Sequence, residues 1–162
     1  AFSGMDAIAA ALYAETAGKM KYEFASECNA AARRVLMAAW EGAGLTEERC
    51  YMDATKGAAT EECTVDVWAC TAECIKHSRR GRASRREAAA AFVRLDMSLD
   101  YVRRQKPRVV IIENVCDRLR IARLGVAWGE IVGYRWRHLE LSPHELGGAM
   151  ERERAFWIGT AL

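Results

Sequence analysis

The chain has 162 residues, of which 51% are hydrophobic and 28% charged, with a formal net charge of +2. That length supports one domain with a sizeable core, and the composition is ordinary for a water-soluble globular protein. No apolar run approaches the roughly 18 residues that a membrane-spanning helix needs, and so small a net charge does not announce a polyanion binder.

The start, Ala1-Phe2-Ser3-Gly4, lacks the basic and apolar blocks of a secretion signal. Phe2-Ser3-Gly4 reads as the end of a first strand. Residues 5–17 are alanine-rich and predict a helix, with Gly18 as its C-cap. Residues 22–26 predict a second strand, with Glu27 at its end. Asn29 then caps a helix running to Trp40, which Gly42 and Gly44 break. Residues 50–52 predict a short third strand, followed by Asp53. Residues 65–70 predict a fourth, and a polar, basic loop follows to residue 84. A long helix is expected over 85–105.

Pro107 opens the fifth strand, Val109-Val110-Ile111-Ile112, a β-branched run suited to burial on both faces. Residues 117–128 predict a helix, 134–141 a strand, 143–150 a loop with one helical turn, and 155–160 a last strand. Strands thus alternate with helices, which means α/β with a mostly parallel sheet. There is no repeat, no low-complexity linker and no second domain. The six cysteines stand at 28, 50, 63, 70, 74 and 116 without paired C-x-x-C spacing. This argues against a zinc site and for free thiols in a reducing, intracellular compartment.

Acidic residues follow three strands: Glu27, Asp53 and Glu113. Carboxylates at strand ends in an open α/β sheet accept hydrogen bonds from ribose hydroxyls. The same residues, and Asn114 after Glu113, also read as ordinary helix-start residues. Cys74 lies in Thr71-Ala72-Glu73-Cys74-Ile75-Lys76-His77-Ser78, beyond the fourth strand and beside positive charge. Such a setting stabilises a thiolate and makes it nucleophilic; the competing reading is an inert thiol. Lys76, Arg79, Arg80, Arg82, Arg85 and Arg86 crowd one segment with His77, forming either a phosphate-binding patch or a solvated basic loop. Arg152 and Arg154 alternate in Met150-Glu151-Arg152-Glu153-Arg154. They suit an anionic or polar ligand, or surface pairing with Glu151 and Glu153.

Taken in order, these pieces resemble the cytosine-5 DNA methyltransferases. Phe2-Ser3-Gly4 looks like the family's Phe-x-Gly-x-Gly opening, and Phe24 to Glu27 like its second motif. Asp53 sits like the aspartate that contacts the cofactor adenine. The stretch from Asp66 to Cys74 looks like the catalytic strand and cysteine loop, with Ser78 and Gly81 matching beyond it. Lys106-Pro107-Arg108-Val109-Val110 leads into Glu113-Asn114-Val115, similar to the family's Glu-Asn-Val. Gly133-Tyr134 and Arg152-x-Arg154 match the motif that closes the catalytic half.

The resemblance implies a single, truncated catalytic domain over 1–162 with a Rossmann-like, S-adenosylmethionine-dependent methyltransferase fold and helices on both faces of its sheet. It implies methylation of cytosine C5 in double-stranded DNA, with the base flipped from the duplex. Cys74 would attack C6, Glu113 would protonate or hydrogen-bond N3, and Arg154 with Arg152 would steady the base carbonyl. Phe2, Gly4, Glu27 and Asp53 would hold S-adenosyl-L-methionine, and no metal is needed. Asn114, Arg79, Arg80 and Arg82 are the expected substrate contacts. The family's target-recognition region and final helix have no counterpart in these residues. The expected partners are therefore DNA, a separately encoded recognition subunit and a second copy of the chain, with no membrane. Two other readings stay open: an inactive or split-enzyme subunit of the same fold, and a tRNA-directed relative.

Overall fold

A computed structural model describes residues 7–53, 63–71, 96–116, 125–126, 128–147 and 153–162. It forms two compact units, 1–63 and 64–162.

In the first unit, helix α1 (Ala7–Glu15) lies within the expected helix. It closes through Gly18, whose φ of +77° takes the left-handed form that glycine tolerates. Strand β1 (Ala25–Ser26) is shorter than the predicted strand. Helix α2 (Ala30–Trp40) begins where Asn29 Oδ1 accepts the N–H groups of Ala31 and Ala32, the N-cap that the sequence suggests. Beyond it, Gly44 at φ +98° turns the chain toward strand β2 (Cys50–Tyr51). β1 and β2 pair in parallel, Ala25 with Cys50 and Ser26 with Tyr51. Ala9, Tyr22, Ala25, Leu36, Trp40, Leu45 and Cys50 form the core. Trp40 meets the rings of both Tyr13 and Tyr22, at 5.6 and 5.4 Å.

The second unit is built on a four-stranded sheet: β3 (Val67–Thr71), β4 (Val109–Val115), β5 (Tyr134–Leu141) and β6 (Arg154–Ala161), in the order β3-β4-β6-β5. β3 and β4 are parallel; β6 runs antiparallel to both of its neighbours. The sheet is therefore mixed: β3, β4 and β5 run one way and β6 the other, which agrees with the expectation of an α/β fold with a mostly parallel sheet. The antiparallel register sets the buried Ala155 and Trp157 opposite the buried Asn114 and Ile112, so β4 and β6 bury the same face. After β5, Ser142 is followed by a short 3-10 turn (Pro143–Leu146), which ends at Gly147 with φ +84°.

Strand alternation divides this sheet into two faces. One face holds Trp68, Cys70, Val110, Ile112, Asn114, Ala155 and Trp157, all buried. The helical stretch 96–105 covers part of it: the Trp68 and Tyr101 rings stack at 4.2 Å, and Cys70 Sγ lies 3.4 Å from Ser98 Oγ. Gly159 lies opposite Trp136 in the ladder. A Cβ at this glycine would stand 2.7 Å from the Trp136 ring, so only glycine lets that indole lie against the strand. Trp136 in turn meets Trp128 at 5.6 Å. The other face holds Glu113, Arg154 and Phe156, each partly exposed.

Candidate functional site

Glu113 and Asn114 lie near the C-terminal end of β4 and, as successive strand residues, point to opposite faces. Asn114 belongs to the buried face, at 1% exposure, and its Oδ1 accepts the Val115 N–H at 2.9 Å. The structure thus separates Asn114 from Glu113 and gives its amide the work of securing the strand end. As a correction to the helix-start reading, Glu113 and Asn114 are both interior residues of β4.

Glu113 has Arg154 as its neighbour. Glu113 stands opposite Phe156, and Arg154 opposite Val115, so Glu113 and Arg154 are diagonal neighbours on one face. Long side chains bridge such a diagonal. Arg154 Nε donates to Glu113 Oε1 at 2.6 Å, with the side chains 18% and 20% exposed. The sequence offered Glu151 and Glu153 as surface partners for this arginine; Glu151 lies outside the described residues, and Arg154 donates to the Glu153 carbonyl oxygen at 2.8 Å and directs its Nε to Glu113. A charge-assisted contact of this length, partly withdrawn from water, is the strong kind of hydrogen bond.

On its other side Glu113 pairs in register with Thr71, the last residue of β3. Cys74 follows Thr71 by three residues, so chain connectivity alone holds its Cα within about 11 Å of the Thr71 Cα. Cys74 itself lies outside the described residues, as do Arg152, Phe2, Gly4, Arg79, Arg80 and Arg82. Among the described cysteines, Cys70 shares β3 but points to the buried face. Burial pushes its thiol up, against a downward pull from Ser98. Burial also pushes up the thiols of Cys50 and Cys116, the latter reinforced by Glu140 and Glu153. None of these three has the lowered thiol of a reactive cysteine.

Thr71 and Phe156 flank Glu113 on its two sides, and neither was singled out in the sequence. The signal for Thr71 was its place as the last β-branched residue before the cysteine loop. The signal for Phe156 was the two-residue alternation that follows Arg154.

In the first unit, Glu27 follows β1 directly and Asp53 stands two residues after β2, so both carboxylates lie past the C-terminal ends of paired parallel strands. Glu27 N–H donates to Tyr51 O at 2.9 Å, extending the ladder by one bond. The residue is 8% exposed, and its Oε1 accepts the Asn29 N–H at 2.7 Å. Arg33 Nη1 donates to the Glu27 carbonyl at 3.1 Å. Glu27 thus serves the start of α2 and also presents a carboxylate at the strand edge. Acceptors at such an edge fit the hydroxyls of a ribose and the amine of an adenine, the polar groups of an adenosyl cofactor.

No family profile matches this sequence, and no curated protein matches it. Solved structures do. The S. pombe Dnmt2 methyltransferase superposes with a TM-score of 0.66 at 17% identity, covering 99% of this chain and 47% of its own. A putative DNA modification methyltransferase encoded within an E. coli prophage gives 0.62 at 18% identity, covering 99% and 45%. The methyltransferase domain of bacterial CtHen1 gives 0.58 at 12% identity, covering 98% and 87%. The chain spans about half the length of the first two and most of the third. At these identities the likeness is one of fold, and the fold is that of the S-adenosylmethionine-dependent methyltransferases.

Proposed function

We propose that this chain is the catalytic half of an S-adenosylmethionine-dependent methyltransferase acting on C5 of cytosine in DNA. One observation carries the reading. A carboxylate and a guanidinium meet on one partly exposed sheet face, beside the strand end that leads into the Cys74 loop. In the first unit, Glu27 and Asp53 would hold the cofactor's ribose and adenine, and Phe2 and Gly4 its remaining contacts. The bound cofactor supplies an electrophilic methyl group.

The chain's own residues then divide the work. The Cys74 thiolate adds to C6 of the flipped cytosine and forms a C–S bond. The electron pair displaced from the C5–C6 bond is drawn toward N3, which takes a proton from Glu113; the carboxylate that Arg154 holds in the free chain takes up that proton from solvent as the base binds. The guanidinium of Arg154, with that of Arg152, donates to the base carbonyl oxygen and stabilises the charge developing there. C5 is now nucleophilic and accepts the methyl group. Loss of the C5 proton to water restores the double bond and expels the thiolate, and N3 returns its proton to the Glu113 carboxylate. Arg154 also fixes the Glu113 carboxylate, so that both groups face the base in one geometry.

The test is trapping on a duplex that carries 5-fluorocytosine, where no proton can leave C5. The unaltered chain with S-adenosylmethionine gives a covalent protein–DNA species. Cys74→Ser gives none and transfers no methyl group, while its cofactor affinity, read by calorimetry, stays within about twofold of the parent. Methyl transfer by Cys74→Ser at the parent rate overturns the mechanism. The same trap on a 5-fluorocytosine tRNA separates the RNA-directed reading from the DNA-directed one.

A further inference from the structure

Strand β5 carries two arginines that the mechanism does not use. Arg135 and Arg137 are both exposed and occupy alternate positions. The ladder register fixes their face. Arg135 stands opposite Thr160, Arg137 opposite Ile158, Leu139 opposite Phe156 and Leu141 opposite Arg154. Thr160, Ile158 and Phe156 in turn stand opposite Val109, Ile111 and Glu113. Paired strand residues share a face, so Arg135 and Arg137 lie on the face that bears Glu113 and Arg154.

On that face the four strands hold three arginines and one carboxylate, Glu113, which Arg154 already engages. Among the described residues, no carboxylate pairs with Arg135 or Arg137. Also on β5, the His138 imidazole and the Glu140 carboxylate lie 3.8 Å apart on the opposite face. The small net charge of the whole chain therefore hides a positive strip on one side of the sheet. β5 also ends the strand order among the described residues, so the strip runs along an edge.

With strands about 4.8 Å apart and residues rising about 3.3 Å along a strand, Arg137 lies roughly 12 Å from Glu113 and Arg135 roughly 16 Å. These spans amount to about three to five base-pair rises of duplex DNA at about 3.4 Å each.

We infer that Arg135 and Arg137 contact backbone phosphates of the DNA strand leading away from the flipped cytosine, and so hold the duplex in register over Glu113. The inference rests on the DNA-methyltransferase reading above. The chemistry is that of guanidinium groups and phosphodiester oxygens: each contact displaces condensed counterions and carries no base preference.

The test is binding of a fluorescent DNA duplex by anisotropy, from roughly 50 to roughly 200 mM salt. The parent is compared with R135Q/R137Q, a pair that keeps side-chain length and polarity at exposed strand positions. The expected result is a log–log salt slope shallower by about 2, roughly 0.9 for each lost contact, and affinity on the order of tenfold weaker at the lowest salt. Melting temperature and S-adenosylmethionine affinity stay at the parent values, which separates the effect from a folding defect. If the double variant keeps the parent's slope and affinity while the parent forms the 5-fluorocytosine adduct, this inference fails and the enzyme reading stands. A parent chain that neither binds the duplex with a salt slope nor forms the adduct overturns both. Retention of the salt slope for DNA with loss of binding to an acidic polypeptide such as polyglutamate assigns the strip to a protein partner and overturns the inference.

Discussion

Glu113 and Arg154 are a coupled pair, and replacing either one strands the other. The bond between them is 2.6 Å long and the side chains are about four-fifths withdrawn from water. A charge left without its partner in that setting costs more than the pair contributes. A double-mutant cycle of Glu113→Gln and Arg154→Gln, read by urea unfolding, should give a coupling energy of about 0.5–3 kcal/mol. Additive effects would mean that the contact holds nothing. Tyr134 is the other residue with a marked electrostatic signature. Its hydroxyl donates to the Pro107 carbonyl at 2.6 Å, and burial raises its pKa above the ordinary value of about 10. Above that pH the unfolded chain sheds the proton while the folded chain keeps it. Stability that is fully present below about pH 10 therefore declines as pH rises toward the folded-state value. Tyr134→Phe should cost about 1 kcal/mol at neutral pH, because a carbonyl loses its donor, and should flatten the alkaline decline. Denaturant midpoints of both proteins across that pH range provide the check.

At the scale of elements, the sheet depends on a glycine at one place in β6. Gly159→Ala would set a methyl group 2.7 Å from the Trp136 ring. The indole and both strands would have to shift, a kind of overpacking that costs about 1–3 kcal/mol. The measure is the thermal midpoint of the variant; no change would show that Trp136 moves freely. The elements themselves were largely legible. Asn29 marked the start of α2, Gly18 the end of α1, and the run from Tyr134 to Leu141 became β5 with the same bounds. Short β1 was overestimated, since Tyr22 is buried in the core and its N–H bonds the Ala43 carbonyl outside any ladder. A side chain's wish to be inside does not by itself make a strand. The direction of β6 was not legible: the twelve residues between β5 and β6 are enough for a crossover, and only the ladder register shows that β6 runs back along its neighbours. The meeting of Glu113 with Arg154 was beyond sequence. They stand 41 positions apart, and only the ladder register decides that they share a face.

Across the whole molecule, the thiols sort by place. Cys28 is exposed, whereas Cys50 and Cys70 are buried, with their thiols pushed up by desolvation. Since the thiolate is the reactive form, iodoacetamide at about pH 8 should label Cys28 well before Cys70 in the folded chain, and all sites alike in urea. Peptide mapping by mass spectrometry would show the order; early labelling of Cys70 would contradict its burial against Ser98. The same molecule-wide view explains how a chain of +2 carries a positive face. Among the described residues the charge balance is struck between faces, with arginine and carboxylate partners on some and arginines without a carboxylate partner along the edge of one.

The aromatic rings also give the chain a built-in optical probe. Trp40 is the single tryptophan of residues 1–63, and the other four belong to residues 64–162. Trp128 and Trp136 lie close enough, at 5.6 Å and 48°, for their strong excited states to couple and give a far-ultraviolet circular dichroism couplet. That couplet reports the sheet unit, while Trp40 emission, isolated by comparison with W40F, reports the first unit. Loss of structure in either unit is then visible without a label, and every variant above can be sorted in one cuvette into a damaged scaffold or an intact scaffold with altered chemistry.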